Sequence, residues 1–154
     1  MASAWLAGLE FIHFTGDLDG SDNWDYICSQ DPEGTANAAE NYPAFNWINT
    51  YNITYAAQLG GAKPAWYMPS LAELCEVYRN SEAINASLEK IRSLPNGSSY
   101  GNLSPVNPWF WSSSQYSDNT NDNNKAGAVQ FGNNDHVSEL DKGSSLWVFC
   151  LAGI

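Results

Sequence analysis

Positive charge is scarce in this chain. Six lysines and arginines stand against 17 aspartates and glutamates in 154 residues, a formal net charge of −11. Phosphate backbones are bound through a basic footprint, so the composition excludes a nucleic-acid partner. An anionic membrane surface is disfavoured for the same reason. Long apolar runs are missing too. No segment approaches the roughly 20 residues that a membrane-spanning helix needs, so no direct membrane insertion is expected. The opening "MASAWLAGLEFIHF" has no basic region and leads into "GDLDGSDNWD", so it is not read as a signal peptide.

The groups that carry chemistry are few. The cysteines are Cys28, Cys75 and Cys150, an odd count that forms no complete disulfide framework, although one pair is open to them. With no C-x-x-C, a zinc site has no support. His13 and His136 are the only histidines, and there is no G-x-S-x-G elbow, H-E-x-x-H or Gly-rich phosphate loop. Carboxylate pairs such as Asp17 with Asp19, or Glu139 with Asp141, are expected in so acidic a chain and read as a solvated face. "GDLDGSDNWDY" looks at first like a calcium loop. Counted from Asp17, however, the sixth and twelfth EF-hand positions hold Asp22 and Cys28 instead of Gly and Glu. It reads as an acidic turn. The residues therefore predict no metal, no cofactor and no enzyme.

What the chain does have is a core. Hydrophobic residues make up 44% and aromatics 14%, with seven tryptophans, which excludes disorder across the whole chain. The length suits a single domain over residues 1–154. Residues 5–14 read as a strand. Residues 35–53 have helical spacing, with Ala44, Trp47, Ile48 and Tyr51 on one apolar face and Pro43 in the first turn. "LGGAKP" is a breaker. The clearest local signal is "MPSLAELCEVY": Ser70 is an N-cap, Glu73 completes a capping box, and Leu71, Leu74, Cys75 and Tyr78 form the stripe behind them. Cys75 is thereby a core thiol. Ile84, Leu88 and Ile91 continue the pattern inward. The reading is two helices, near residues 37–53 and 70–91.

Strands follow. Trp109–Ser113, Ala126–Phe131, the arm His136–Leu140 and a buried final strand Leu146–Ala152 are separated by the turns "GNND" and "DKGS". Helices first and antiparallel strands later give an α+β fold, with helices packed on small antiparallel sheets. Six asparagines fall between Asn119 and Asn134, beside the aromatic run Trp109–Trp111. Asparagine suits turns, so this is a polar, turn-rich surface framed by strands. Four N-x-[ST] sequons, at Asn52, Asn85, Asn96 and Asn102, are expected by chance in a chain this rich in asparagine.

Four motifs occur in one order: "WYMPSLAELCEVY" at Trp66–Tyr78, "WSSSQYS" at Trp111–Ser117, "AVQFGNN" at Ala128–Asn134, and the terminal "LWVFCLAGI". In this the chain resembles the Lcl-type C-terminal domain of bacterial surface proteins over roughly residues 5–154. That family is related to the C-type lectin and formylglycine-generating enzyme folds, and to the variable proteins of diversity-generating retroelements. The resemblance implies a C-type lectin-like fold, membership in a longer exported protein or a phage particle, and location outside the cell or on its surface. The ending departs from the family, which usually has arginines there. The calcium motifs of sugar-binding C-type lectins are absent, so calcium-dependent carbohydrate binding does not carry over.

The resemblance implies a non-enzymatic module displaying a diversified C-terminal surface to a protein or cell-surface ligand. Retroelements mutate adenines, which makes asparagine codons substitutable. The expected exposed contacts are Tyr116, Asn119, Gln130, Asn133, Asp135 and His136, followed by Ser138, Glu139, Ser145, Trp147 and Phe149. Trp109, Trp111, Val129, Phe131 and Val148 are the expected buried floor. The alternatives are an adhesin or glycan-binding domain of fixed specificity, and an enzyme of formylglycine-generating type.

Overall fold

The computed structural model describes residues 14–15, 18–57, 66–95, 108–116, 124–132 and 136–152. Strand β1 is Phe14–Thr15. Four helices follow: α1 Asn23–Gln30, α2 Pro32–Ala36, α3 Ala38–Asn41 and α4 Pro43–Thr54. Proline opens both α2 and α4, where a missing N–H costs nothing. Asp31 caps α2, its carboxylate accepting from Gly34 N at 2.9 Å. After β2 (Trp66–Tyr67) come α5 (Leu71–Arg79) and α6 (Ser81–Arg92), then β3 (Trp109–Tyr116), β4 (Lys125–Gln130), β5 (His136–Asp141), β6 (Trp147–Val148) and β7 (Leu151–Ala152).

The main sheet runs β1-β3-β4-β5, all antiparallel, and β6 joins β3 in parallel. β1 and β6 share one edge of β3 end to end: β1 meets Gln115 and Tyr116, β6 meets Phe110 and Trp111. Between them the β3–β4 register shifts, at Trp111 to Gln115. β2 and β7 form a separate two-stranded sheet.

Helices cover both faces of the main sheet. On one face Phe110, Val129 and Phe131 pack with Leu71, Leu74, Cys75 and Val77 of α5. On the other, Trp111, Ala126 and Ala128 pack with Ile27 of α1, Phe45 and Ile48 of α4, and Met68. Alternation assigns the faces, because neighbouring side chains on a strand point opposite ways. Coverage on both sides explains why Ser112–Ser114 and Ala126–Val129 are buried without a break.

The α+β class stands, and the details correct several expectations. Two helices were expected, and six helical segments are present among the described residues. The stretch read as an acidic turn runs into α1. The first long helix starts at Pro43, not near residue 37, because Asn37 and Tyr42 interrupt the chain as caps. The second breaks at Asn80 into α5 and α6. The inward face of α4 also differs: Phe45 and Ile48 are buried, while Trp47 and Tyr51 are exposed. The final strand is two short strands in two different sheets, and it is half-buried. The expected strand over residues 5–14 lies almost wholly outside the described residues.

Candidate functional site

The site rests on a scaffold built by the two sequence motifs. Ser70 caps α5, its Oγ accepting from Glu73 N at 3.2 Å, and the Glu73 carboxylate returns to Ser70 N at 2.9 Å. That carboxylate does more than close the box. Its Oε2 also accepts from Gly20 N at 2.9 Å, and its Oε1 accepts from the Tyr67 hydroxyl at 2.8 Å. One side chain thus ties the approach to α1, β2 and α5 together.

The serines after Trp111 supply the other half. Ser114 Oγ accepts from Leu71 N at 2.8 Å, satisfying a donor of the first helical turn. Ser113 N donates to Pro69 O at 2.8 Å, and Ser113 Oγ accepts from Asn23 Nδ2 at 2.7 Å. Ser112 Oγ donates to Gly127 O at 2.7 Å. All three are buried and hydrogen-bonded, as buried polar groups must be. Small hydroxyls here let the backbones of β3, α5 and α1 approach closely. Gly20 makes the same demand: a Cβ there would lie 2.5 Å from Met68 O and Ser70 N.

Beside this scaffold lies a groove of about 660 Å³. Its floor is Met68, Trp111, Ala126 and Val148. One wall is α3 with the start of α4, from Glu40 to Trp47, and the other is the turn Lys142–Leu146. A small polar cluster supports the wall. The Tyr42 hydroxyl donates to Asp31 Oδ2 at 2.8 Å. The Gly34 N–H first, and this hydroxyl second, hold the Asp31 carboxyl below its usual range. Burial, then the Asp31 bond, pushes Tyr42 up to about 12. Lys142 is exposed as a residue, yet dehydration of its head group lowers its pKa against the opposing pull of Asp31. Aromatic surface, amides, hydroxyls and one ammonium line the groove, the kinds of group that can make non-covalent contacts.

The expected contact residues divide. Ser145 and Trp147 are exposed, Trp147 at 64%. Tyr116, Gln130, Ser138 and Glu139 are half-buried. Ser138 lies opposite Ala128 and Gln130 opposite Trp109, on the groove face of the sheet. Glu139 lies opposite Gly127, on the other face, where Tyr116 packs against the α5 core. Consecutive residues of one strand cannot share a surface, so Ser138 and Glu139 belong to different ones. His136 pairs with Gln130 at the start of β5. Phe149 is not an exposed contact: it packs against the α5 core. Asn119, Asn133 and Asp135 lie outside the described residues, as does His13. Of the expected floor, Trp111, Val129 and Phe131 are buried, while Trp109 and Val148 are only partly so.

Among the described contacts, Ser145 alone lines the groove. The wall from Glu40 to Trp47 escaped the sequence reading, which had turned Trp47 inward. The cluster "NYPAFNW", with three aromatics around a helix-starting proline, was the available signal. None of the three cysteines forms a disulfide, and Cys75 lies in the core. Burial pushes the Cys150 thiol up to about 11, leaving little thiolate at neutral pH. No group of three or more His, Cys, Asp or Glu among the described residues is placed to hold a metal ion. No described helix is long and apolar enough to cross a membrane. Asn52 grips Trp66 through both ends of its amide, at 2.8 and 3.0 Å, so this sequon nitrogen is engaged in the fold.

Fold and site together define an α+β protein with a polar-aromatic groove beside a short, partly exposed C-terminal strand. Comparison with family models, with curated proteins and with solved structures finds no match to this chain.

Proposed function

We propose that the chain is a non-enzymatic binding module of C-type lectin-like fold, akin to the variable proteins of diversity-generating retroelements. It displays its C-terminal segment to a protein or cell-surface ligand. One observation carries this reading: motif residues and periphery have separate tasks. Ser70, Glu73 and Ser112–Ser114 are engaged in holding elements together. Trp147 stands exposed beside them on β6, a strand paired with β3, and Ser145 stands exposed in the turn that leads into it. Exposed positions on a rigid support accept substitution at little cost in stability. A large exposed aromatic is also a natural contact residue.

The test is genetic. Copies of this gene from related strains, with their flanking DNA, are sequenced. The reading expects a near-identical template repeat, a neighbouring reverse transcriptase, and substitutions concentrated at adenine-containing codons after Trp111. Substitutions spread evenly along the chain, with no repeat, sink it.

A second reading is an adhesin domain of fixed specificity. The groove favours it, because half of the groove lining comes from Glu40–Trp47, Met68 and Trp111, outside the proposed variable segment. Under this reading those residues would stay constant between strains and ligand binding would follow them.

A further inference from the structure

The exposed side of α4 carries an aromatic ladder. Trp47, Tyr51 and Tyr55 recur at four-residue spacing, which places them on neighbouring turns. The Trp47 and Tyr51 rings stack with centroids 5.7 Å apart, and Tyr51 and Tyr55 lie 4.5 Å apart. Their exposures are 54%, 38% and 42%. Burial of α4 falls to Phe45 and Ile48, so the fold itself does not require this ladder. Tyr51 also meets the edge of Trp66 at 6.4 Å, which anchors the ladder to β2.

Charge in the stretch of chain that carries the ladder is of one sign. Residues 1–62 contain eight acids, from Glu10 to Glu40, and no lysine or arginine. All of α1 to α4 falls within that stretch. Glu40 lines the same groove as Trp47. Lys142, across that groove, is the opposing charge, and Asp31 attracts it. Aromatic faces attract cations through their quadrupoles, and a surrounding negative field strengthens the attraction. The same field opposes a second copy of this chain, which carries the same −11.

We infer that the α4 ladder is a docking surface for a segment of a partner protein that presents arginine or lysine side chains. The cationic groups would lie over the exposed ring faces of Trp47, Tyr51 and Tyr55, with Glu40 at the margin. Trp47 also lines the groove beside Val148, whereas Tyr51 and Tyr55 lie outside its lining, and the test of this surface does not depend on the proposed display function.

The probe is a fluorescently labelled peptide of alternating arginine and glycine, with a citrulline version as the neutral control. Binding is read by polarisation at low and moderate salt. The inference expects the arginine peptide to bind and the citrulline peptide to bind on the order of 10-fold more weakly. Trp47→Ala with Tyr51→Ala should weaken the arginine peptide by a similar factor. Glu82→Gln on α6, an equal loss of charge elsewhere, should leave affinity within about 2-fold at moderate salt. Trp47→Leu keeps apolar bulk without a π face, and stands in if the double variant fails to fold. The inference fails if the peptide does not bind, or if citrulline binds as well as arginine. It also fails if Glu82→Gln weakens binding as much as loss of the rings, because the attraction is then diffuse. Competition by a neutral oligosaccharide, with no preference for arginine, would reassign the ladder to glycans and overturn it.

Discussion

Replacing Glu73 with alanine removes one acceptor group from three donors at once. Gly20 N, Ser70 N and the Tyr67 hydroxyl all lose their partner, at 2.9, 2.9 and 2.8 Å. A hydrogen bond to a charged acceptor contributes about 1.5–3 kcal/mol, and the half-buried setting of Glu73 argues for the low end. Three such bonds give a loss of about 3–5 kcal/mol. That is a large part of the total stability of about 5–15 kcal/mol usual for a domain. Glutamine should behave differently. Its carbonyl oxygen can take the place of Oε2 and serve both backbone N–H groups, while its amide donates to the Tyr67 hydroxyl, which rotates to accept. Only the charge is lost, so Glu73→Gln should cost about 1–2 kcal/mol. Tyr67→Phe removes one bond, at about 1 kcal/mol. The assay is urea unfolding followed by far-UV circular dichroism, with a thermal melt beside it. The order of stability should be parent, Tyr67→Phe, Glu73→Gln, then Glu73→Ala. The last should melt roughly 10 °C below the parent. A melting temperature for Glu73→Ala within about 2 °C of the parent would show that the three bonds do not hold these elements together.

Three further outcomes follow from the same geometry. Gly20→Ala should destabilise by about 2 kcal/mol or more, because the new Cβ meets backbone atoms at 2.5 Å that cannot rotate aside; an unchanged urea midpoint refutes this. Tyr67 and Tyr42 are both pushed up to about 12, mainly by burial. Each keeps its proton in the folded state after an unfolded tyrosine, near 10, has lost it. Their contribution is therefore complete below about pH 10 and lost as pH rises toward 12, so urea midpoints should hold steady to about pH 10 and then fall. The Tyr42→Phe, Tyr67→Phe double variant should fall less over that window, and an equal fall counts against it. Iodoacetamide at neutral pH should modify Cys75 and Cys150 far more slowly in native protein than in urea, since the first is in the core and burial raises the second to about 11. Native Cys150 reacting at the unfolded rate would refute the burial and reopen thiol chemistry.

What was legible in the sequence was local. The capping box at Ser70 and Glu73 could be read because both partners lie within one turn of helix. The strands Lys125–Gln130 and His136–Asp141 could be read from their framing turns. The additional partners of Glu73 and of the three serines could not, because they come from β2, α1 and the far end of the chain. The apolar face of α4 was ambiguous for another reason. Ala44, Trp47, Ile48 and Tyr51 make one stripe, and Phe45 and Ile48 make another about 80° away. The choice was settled by Trp24 of α1, whose ring stacks on Phe45 at 4.9 Å. A helix read alone carries no record of that neighbour. The groove was out of reach for the same reason, since its floor and walls come from five separated stretches of chain.

The end of the chain gives the sharpest contrast between strand logic and structure. In one continuous strand Trp147 and Phe149 share a face, because they are two positions apart. Both would then be exposed or both buried. The chain instead leaves the main sheet after Val148 and enters the small sheet at Leu151. That break lets Trp147 stand 64% exposed while Phe149 packs against the core beneath α5. Trp147→Ser should accordingly cost less than about 1 kcal/mol, as surface changes do. Phe149→Ser removes a half-buried ring and introduces a hydroxyl beside apolar neighbours, and should cost about 2 kcal/mol. Paired urea titrations of the two variants decide it. If the costs are equal, the strand is continuous and the two residues belong to one surface. If Phe149→Ser alone is costly, position 149 is closed to free variation and position 147 remains open. A display surface at this end of the chain would then centre on Trp147 and the exposed turn at Ser144 and Ser145, and its diversity would stop where the core begins.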